Sequence, residues 1–209
     1  MTLELGGNDP AIVLPDVDID RIAEKLSWSA FNNCGQACIA VKRVYAHEEI
    51  YPKMVEALSN QARITKMGDG LDPAVQIGPL NNRMQFERVI DLVEDAKRSG
   101  ARMATGGNPR PGSGYFFEPT IVKDISDGTR LVDEEQFGPV LPVIRYRDIE
   151  DALKRANATH YGLGGSIWTN DLDREIELAA RLECGSNSVI ESSKPLGDQG
   201  HCSSMSDIR

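Results

Sequence analysis

The chain has 209 residues, 40% hydrophobic and 26% charged, ordinary values for a soluble globular protein that buries one sizeable core. Its 23 basic and 32 acidic side chains leave a formal charge of −9, which argues against a nucleic-acid or anionic-membrane partner, since both require a basic face. No apolar run approaches the roughly 18 residues of a membrane helix, and no basic region followed by an apolar one opens the chain as a secretory signal would.

The opening LELGGNDPAIVLPD starts as though within a domain, as expected of a chain that has lost an upstream half. Asp16 to Phe31 reads as a helix: Ile19, Ile22, Ala23, Leu26 and Ala30 keep helical spacing, and Asp16, Asp18 and Asp20 crowd the start, where the dipole favours them. Asn32, Asn33 and Gly35 stop it. VKRVYAH (41–47) reads as a strand, and a second helix runs from about Pro52 to Thr65. A loop of turn formers follows. Asn81 to Ser99 is the clearest helix, with Phe86, Val89, Ile90 and Val93 in one stripe and Gly100 behind it. ARMAT (101–105) reads as a short strand and GGNPRPGSG (106–114) as a surface loop. In FFEPTIVKDI, an extended segment, Pro119 predicts a strand end or edge. PVLPVIRY (139–146) is a further strand, Asp148 caps the next helix, YGLGGSIWT is a glycine-rich strand, and Asp171 starts a last helix. Strands alternating with helices predict an α/β fold, a largely parallel sheet flanked by helices.

FNNCGQACIA (31–40) carries two of the four cysteines, Cys34 and Cys38; the others are Cys184 and Cys202. Four are too few for a disulfide scaffold, and a reducing cytoplasm is the expected location. A thiol becomes a nucleophile where backbone N–H groups at a turn stabilise its thiolate, and Gly35 permits such a turn just before Cys38. The alternative is a small buried hydrophobe. Cys34 and Cys38 have a spacing seen in zinc sites, but a structural site needs four ligands and no others are suitably placed, so no metal is expected and Cys34 reads as packing. In LELGG, Glu4 sits between two leucines. Apolar surroundings would raise its pKa toward that of a useful base; the alternative is a solvent-facing strand residue. In DEEQFGPV (133–140), a carboxylate suited to sugar hydroxyls precedes Phe137, suited to stack on a flat ring; the alternative is a solvated acidic loop.

Taken together, LELGGNDP, FNNCGQACIA and EEQFGPV resemble, in order, the glutamate, cysteine and cofactor-contact motifs of the aldehyde dehydrogenase superfamily; GPLNNRMQ, GYFFEPTIV and YGLGGSIWT fit as well. The resemblance spans roughly residues 2–185 and implies a catalytic domain over 1–185. It implies that Cys38 attacks an aldehyde, that NAD or NADP takes a hydride from the thiohemiacetal, and that Glu4 activates the water that hydrolyses the resulting thioester. The Cys38 backbone N–H would belong to the oxyanion hole, Glu135 would bind the nicotinamide ribose and Phe137 would line the nicotinamide site. A small aldehyde is the implied substrate.

The chain departs from this pattern at both ends. The family's dinucleotide-binding domain, which normally precedes the glutamate motif, is not in this sequence, and no G-x-G-x-x-G replaces it: Gly162, Gly164 and Gly165 come nearest and read as a strand packed closely on other backbone. Weak or absent NAD binding by this chain alone, and with it impaired oxidation, is the expectation. Residues 186–209, rich in serine, glycine and charge, read as a divergent or poorly ordered tail in which KPLGDQG is an eroded family loop. Apolar area left by a missing partner domain predicts self-association. A non-catalytic remnant acting by protein contacts and a cysteine-dependent esterase are the competing functions.

Overall fold

The sequence reading assigns no element to Asp9–Val13, yet these residues form β1, at the heart of the sheet. The computed structural model describes residues 6–189. In chain order it contains β1, α1 (Ile19–Phe31), β2 (Val41–His47), α2 (Tyr51–Ile64), α3 (Arg83–Arg98), β3 (Arg102–Thr105), β4 (Thr120–Ile125), α4 (Arg130–Asp133), β5 (Val140–Tyr146), α5 (Ile149–Asn157), β6 (Gly164–Trp168), α6 (Leu172–Ala179) and β7 (Ser186–Val189). One seven-stranded sheet runs in the order β3-β4-β5-β2-β1-β6-β7. All pairings are parallel except β3 with β4, so the fold is the largely parallel α/β sheet expected. The stretch from Ser186 begins as a strand, β7, paired to β6.

Both faces of the sheet are covered. Ala11, Val13, Val44 and Ala46 pack with Ile22 and Leu26 of α1 and Met54 and Leu58 of α2. On the other face Ile12, Leu14, Tyr45 and Ile144 pack with Val89, Leu92 and Val93 of α3, Leu153 of α5 and Leu178 of α6. A strand buried on both faces carries an unbroken apolar run instead of an alternation, which is why AIVL shows no strand period.

Helix α1 begins three residues later than its aspartates suggest. Asp18 is the cap, accepting from the Arg21 N–H. Asp16 instead accepts from Thr169 Oγ1 at 2.7 Å and the Asn170 N–H at 2.8 Å, tying the start of this segment to the end of β6. Asn82 caps α3 and Asp171 caps α6. Pro119 precedes the first residue of β4, a strand end, where its missing N–H costs no ladder bond.

Two features place the site. First, β5, β2 and β1 are parallel neighbours, so the segments that precede them, 135–139, 36–40 and 6–8, converge at one end of the sheet. Second, Asp9 pairs with Val41 but Pro10 pairs with Arg43, so Lys42 is the extra residue of a bulge in β2. Bulges are uncommon between parallel strands and re-aim a side chain.

Candidate active site

After α1 the chain turns through Asn32–Gly35. Asn33, Cys34 and Gly35 adopt left-handed backbone conformations, with φ of 52°, 60° and 69°. Gly35 does so without a side-chain clash, whereas Asn33 and Cys34 store strain of about 1–3 kcal/mol each. Gln36 fixes the turn: its Oε1 accepts from the Asn81 N–H at 2.7 Å, its Nε2 donates to the Asn33 carbonyl at 3.1 Å, and its own carbonyl accepts from Asn33 Nδ2 at 2.9 Å. A β-carbon on Gly35 would lie 2.2 Å from the Gly138 carbonyl oxygen, so the loop rests backbone to backbone on the Phe-Gly-Pro turn.

The two thiols of this loop differ. Cys34 is buried in the apolar cluster around α3, and burial pushes its thiol up to about 12. It is a packing residue. Cys38, by contrast, is only half-buried, and Ile39 beside it is 67% exposed.

Gly7 joins the three motifs. A β-carbon there would lie 2.1 Å from the Cys38 carbonyl oxygen, a contact only glycine permits, and the Gly7 N–H donates to Glu135 Oε1 at 3.0 Å. The Tyr161 hydroxyl accepts from the Glu135 N–H at 3.3 Å, and Arg88 donates to the Glu135 carbonyl at 3.3 Å. Phe137, half-buried, is held at a φ of 43°. Gln85 on α3 donates to the carbonyls of Gln136 and Phe137 at 2.7 and 3.1 Å, bracketing that strained residue. Cys38, Glu135 and Phe137 thus stand on loops that touch one another. Glu4, like Cys202, lies outside the described residues.

The sequence reading misses the charges beneath these loops. Lys42, 1% exposed, donates from Nζ to the Gly35 carbonyl and stands 5.5 Å from the centre of the Phe137 ring. Burial drives its ammonium down to about 8, against the pull of Glu135, Asp9, Cys38 and Cys34. Burial also raises Asp9 to about 6, although it accepts from the Gly164 N–H at 3.1 Å and feels Lys42 and Arg43. A β-carbon on Gly164 would lie 2.4 Å from Asp9 Oδ2, so this glycine makes room for a carboxylate and not, as its strand suggests, for another backbone. Gln136, fully buried, donates to the carbonyls of Lys42 and Val140 at 3.0 and 2.8 Å. Among the described residues no three His, Cys, Asp or Glu side chains are grouped as a metal site, and no helix is long and apolar enough to cross a membrane. The signal for Lys42 was present in VKRVYAH, two cations inside a central strand, but which neighbours they meet depends on the bulge.

Comparison with known proteins finds relatives over most of the chain. The model of the Aldehyde dehydrogenase family matches residues 1–199. Aldehyde dehydrogenase 1A1 of Bos taurus is 38% identical over 202 residues, which cover 94% of this chain and 40% of the relative. The aldehyde dehydrogenase of Mycobacterium tuberculosis, solved complexed with NAD+, superimposes with a TM-score of 0.86 at 36% identity, over 89% of this chain and 39% of that one. Aldehyde dehydrogenase C of Pseudomonas syringae, solved with NAD+ and octanal, gives 0.87 at 31% identity, over 92% and 40%. The chain therefore spans about 40% of the length of the relatives it matches.

Proposed function

The chain belongs to the aldehyde dehydrogenase family, and from that premise we propose that it carries the catalytic centre for NAD- or NADP-dependent oxidation of a small aldehyde to a carboxylic acid, with Cys38 as nucleophile and Glu4 as base. The observation that carries this reading is the convergence at Gly7, which touches the Cys38 carbonyl and donates to Glu135. Segments about 130 positions apart in sequence meet there, and each brings one residue type the reaction needs.

Cys38 attacks the aldehyde carbon and forms a thiohemiacetal. The Cys38 backbone N–H is assigned to the developing oxyanion. NAD or NADP, when bound, supplies the acceptor for the hydride. Glu4 takes a proton from the water that hydrolyses the thioester and frees the cysteine.

The residues present fit the nicotinamide-ribose end of that cofactor. A β-carbon on Gly6 would lie 2.6 Å from Glu135 Oε2, so glycine keeps that oxygen clear of a side chain while Gly7 holds Oε1. A carboxylate fixed by one donor accepts sugar hydroxyls with its other oxygen. Phe137 presents a ring whose strained backbone is held by Gln85.

The test is aldehyde-dependent NADH or NADPH formation by the full chain, at cofactor concentrations high enough to offset weak binding, followed together with mass spectrometry of the Cys38 peptide. Turnover is expected to vanish in Cys38→Ser, and Glu4→Gln is expected to accumulate a Cys38 acyl adduct. Turnover unaffected by Cys38→Ser would overturn the assignment.

A further inference from the structure

We propose that Lys42 sets the preference of the nicotinamide site between the two redox forms of the cofactor: a buried cation against the Phe137 ring disfavours the positively charged nicotinamide of the oxidised form relative to the neutral ring of the reduced one. The proposal rests on the reading of Phe137 given above and goes beyond it. Its own basis is geometric. Lys42 is the extra residue of the β2 bulge, so its side chain leaves the regular register of the strand. The ammonium donates to the Gly35 carbonyl and lies over the Phe137 ring, 5.5 Å from its centre. Gln136, the residue before Phe137, donates to the Lys42 carbonyl at 3.0 Å, so ring and cation are also tied through the backbone.

A neutral donor would satisfy the Gly35 carbonyl without the penalty of a buried charge, so that contact does not account for a lysine. The Phe137 ring does give the charge a partner, because the face of an aromatic ring attracts a cation. Lys42 is 1% exposed while Phe137 is half-buried, so a ligand reaching this pair meets the ring and not the ammonium. A ring already engaged with one cation offers less to a second, and the two like charges repel. Charge is also what the proposed reaction changes. The thiohemiacetal carbon gives up its hydrogen with the electron pair and becomes a thioester carbon, the hydroxyl proton leaves to water, and the nicotinamide ring becomes neutral. A fixed cation nearby therefore favours the transfer. Glu135, Asp9, Cys38 and Cys34 also act on the ammonium, and Arg43 follows it in the chain. The carboxylates soften its field, but they are present with either form of the cofactor. At about pH 7 Lys42, lowered to about 8, keeps most of its charge.

Oxidised and reduced nicotinamide mononucleotide carry only the end of the cofactor that these residues fit. Their dissociation constants for the full 209-residue chain, measured by ligand-observed NMR at about pH 7, test the proposal. Lys42→Gln keeps a donor for Gly35 and removes the charge. It is expected to tighten the oxidised form relative to the reduced one about threefold, the effect of one charge at moderate distance. A lysine with a merely structural role changes both affinities alike. A ratio that stays the same, or moves toward the reduced form, therefore overturns the proposal. Where the glutamine variant fails to fold, Lys42→Met makes the same comparison with no polar end to bury. Failure of the reading beneath is recognisable separately. If neither form binds the unsubstituted chain, or both bind undiminished to Phe137→Ala, the nicotinamide site itself is removed, and with it the part assigned to Lys42.

Discussion

Lys42 and Arg43 are consecutive, cationic and buried, yet their surroundings differ in kind. Arg43 is hydrogen-bonded to neutral oxygens on three sides, although its guanidinium also lies over the Tyr45 ring and its charge acts on Asp9. Its Nε donates to the Asn8 carbonyl at 2.9 Å, Nη2 to the Ala156 carbonyl at 3.1 Å and Nη1 to the Tyr45 hydroxyl at 3.2 Å. Lys42 meets one carbonyl, one aromatic face and several groups that change charge with pH. The planar fork of arginine suits fixed acceptors and keeps its proton under all ordinary conditions; an ammonium gives up its proton when buried. Arg43 therefore reads as a structural tie between the segment before β1 and the end of α5, and Lys42 as part of a site whose charges respond to one another.

The largest way to break this contrast is Arg43→Leu. It leaves three buried oxygens without their donor, and the chain is expected to lose about 4 kcal/mol of stability in urea unfolding. Lys42→Met leaves one carbonyl unpaired but also removes a buried charge, so its loss is expected to be about 1 kcal/mol. Equal losses for the two substitutions would erase the distinction.

Asp9 sharpens it on the side of the titrating groups. Its carboxyl is raised from 3.8 in the unfolded chain to about 6 in the folded one, so the native state holds the proton more tightly. The associated stability is fully present below about pH 4 and is lost as pH rises through about 6, a change of up to about 3 kcal/mol. Asp9→Asn is expected to flatten that slope and to leave the variant the more stable protein at pH 7. Chemical denaturation at several pH values reads this directly, and a slope that survives the substitution would show that another group sets it.

These groups also mark the limit of what the sequence discloses. Helices such as α3 are legible because their apolar stripe, asparagine cap and following glycine are all local. Cys38, Glu135 and Phe137 are singled out in the sequence only because their motifs resemble a family's, and the structure brings their loops into contact, while Glu4, read in the same way, lies outside the described residues. Strand β1 is not legible: burial on both faces removes the alternation, and Pro10 argues against a central strand until the register shift beside it is known. Nor does general experience of open parallel sheets help, since ligands there usually bind beyond the carboxyl ends of strands, whereas here the motif residues precede β1, β2 and β5. Lys42, Asp9 and Gly164 acquire their significance from contacts between segments up to about 155 positions apart, and no local pattern encodes such contacts.

The smallest effect isolates the loop side of the contrast. Phe137 occupies a left-handed conformation that a bulky residue rarely adopts, and such strain persists only where the surroundings hold it on both sides. Gln85 does so with one amide nitrogen bonded to the carbonyls of residues 136 and 137. Gln85→Ala removes both bonds from a half-buried place and is expected to cost about 1 kcal/mol. The informative reading is where the structure loosens. Amide hydrogen exchange is expected to quicken at residues 136–138 and in the cysteine loop that rests on Gly138, while the amides of Asn8 and Ala156, whose carbonyls Arg43 holds, keep their protection. Exchange that quickens evenly around both cations would mean that the two form one mechanical unit, and that the division between a structural tie and a responsive site is drawn in the wrong place.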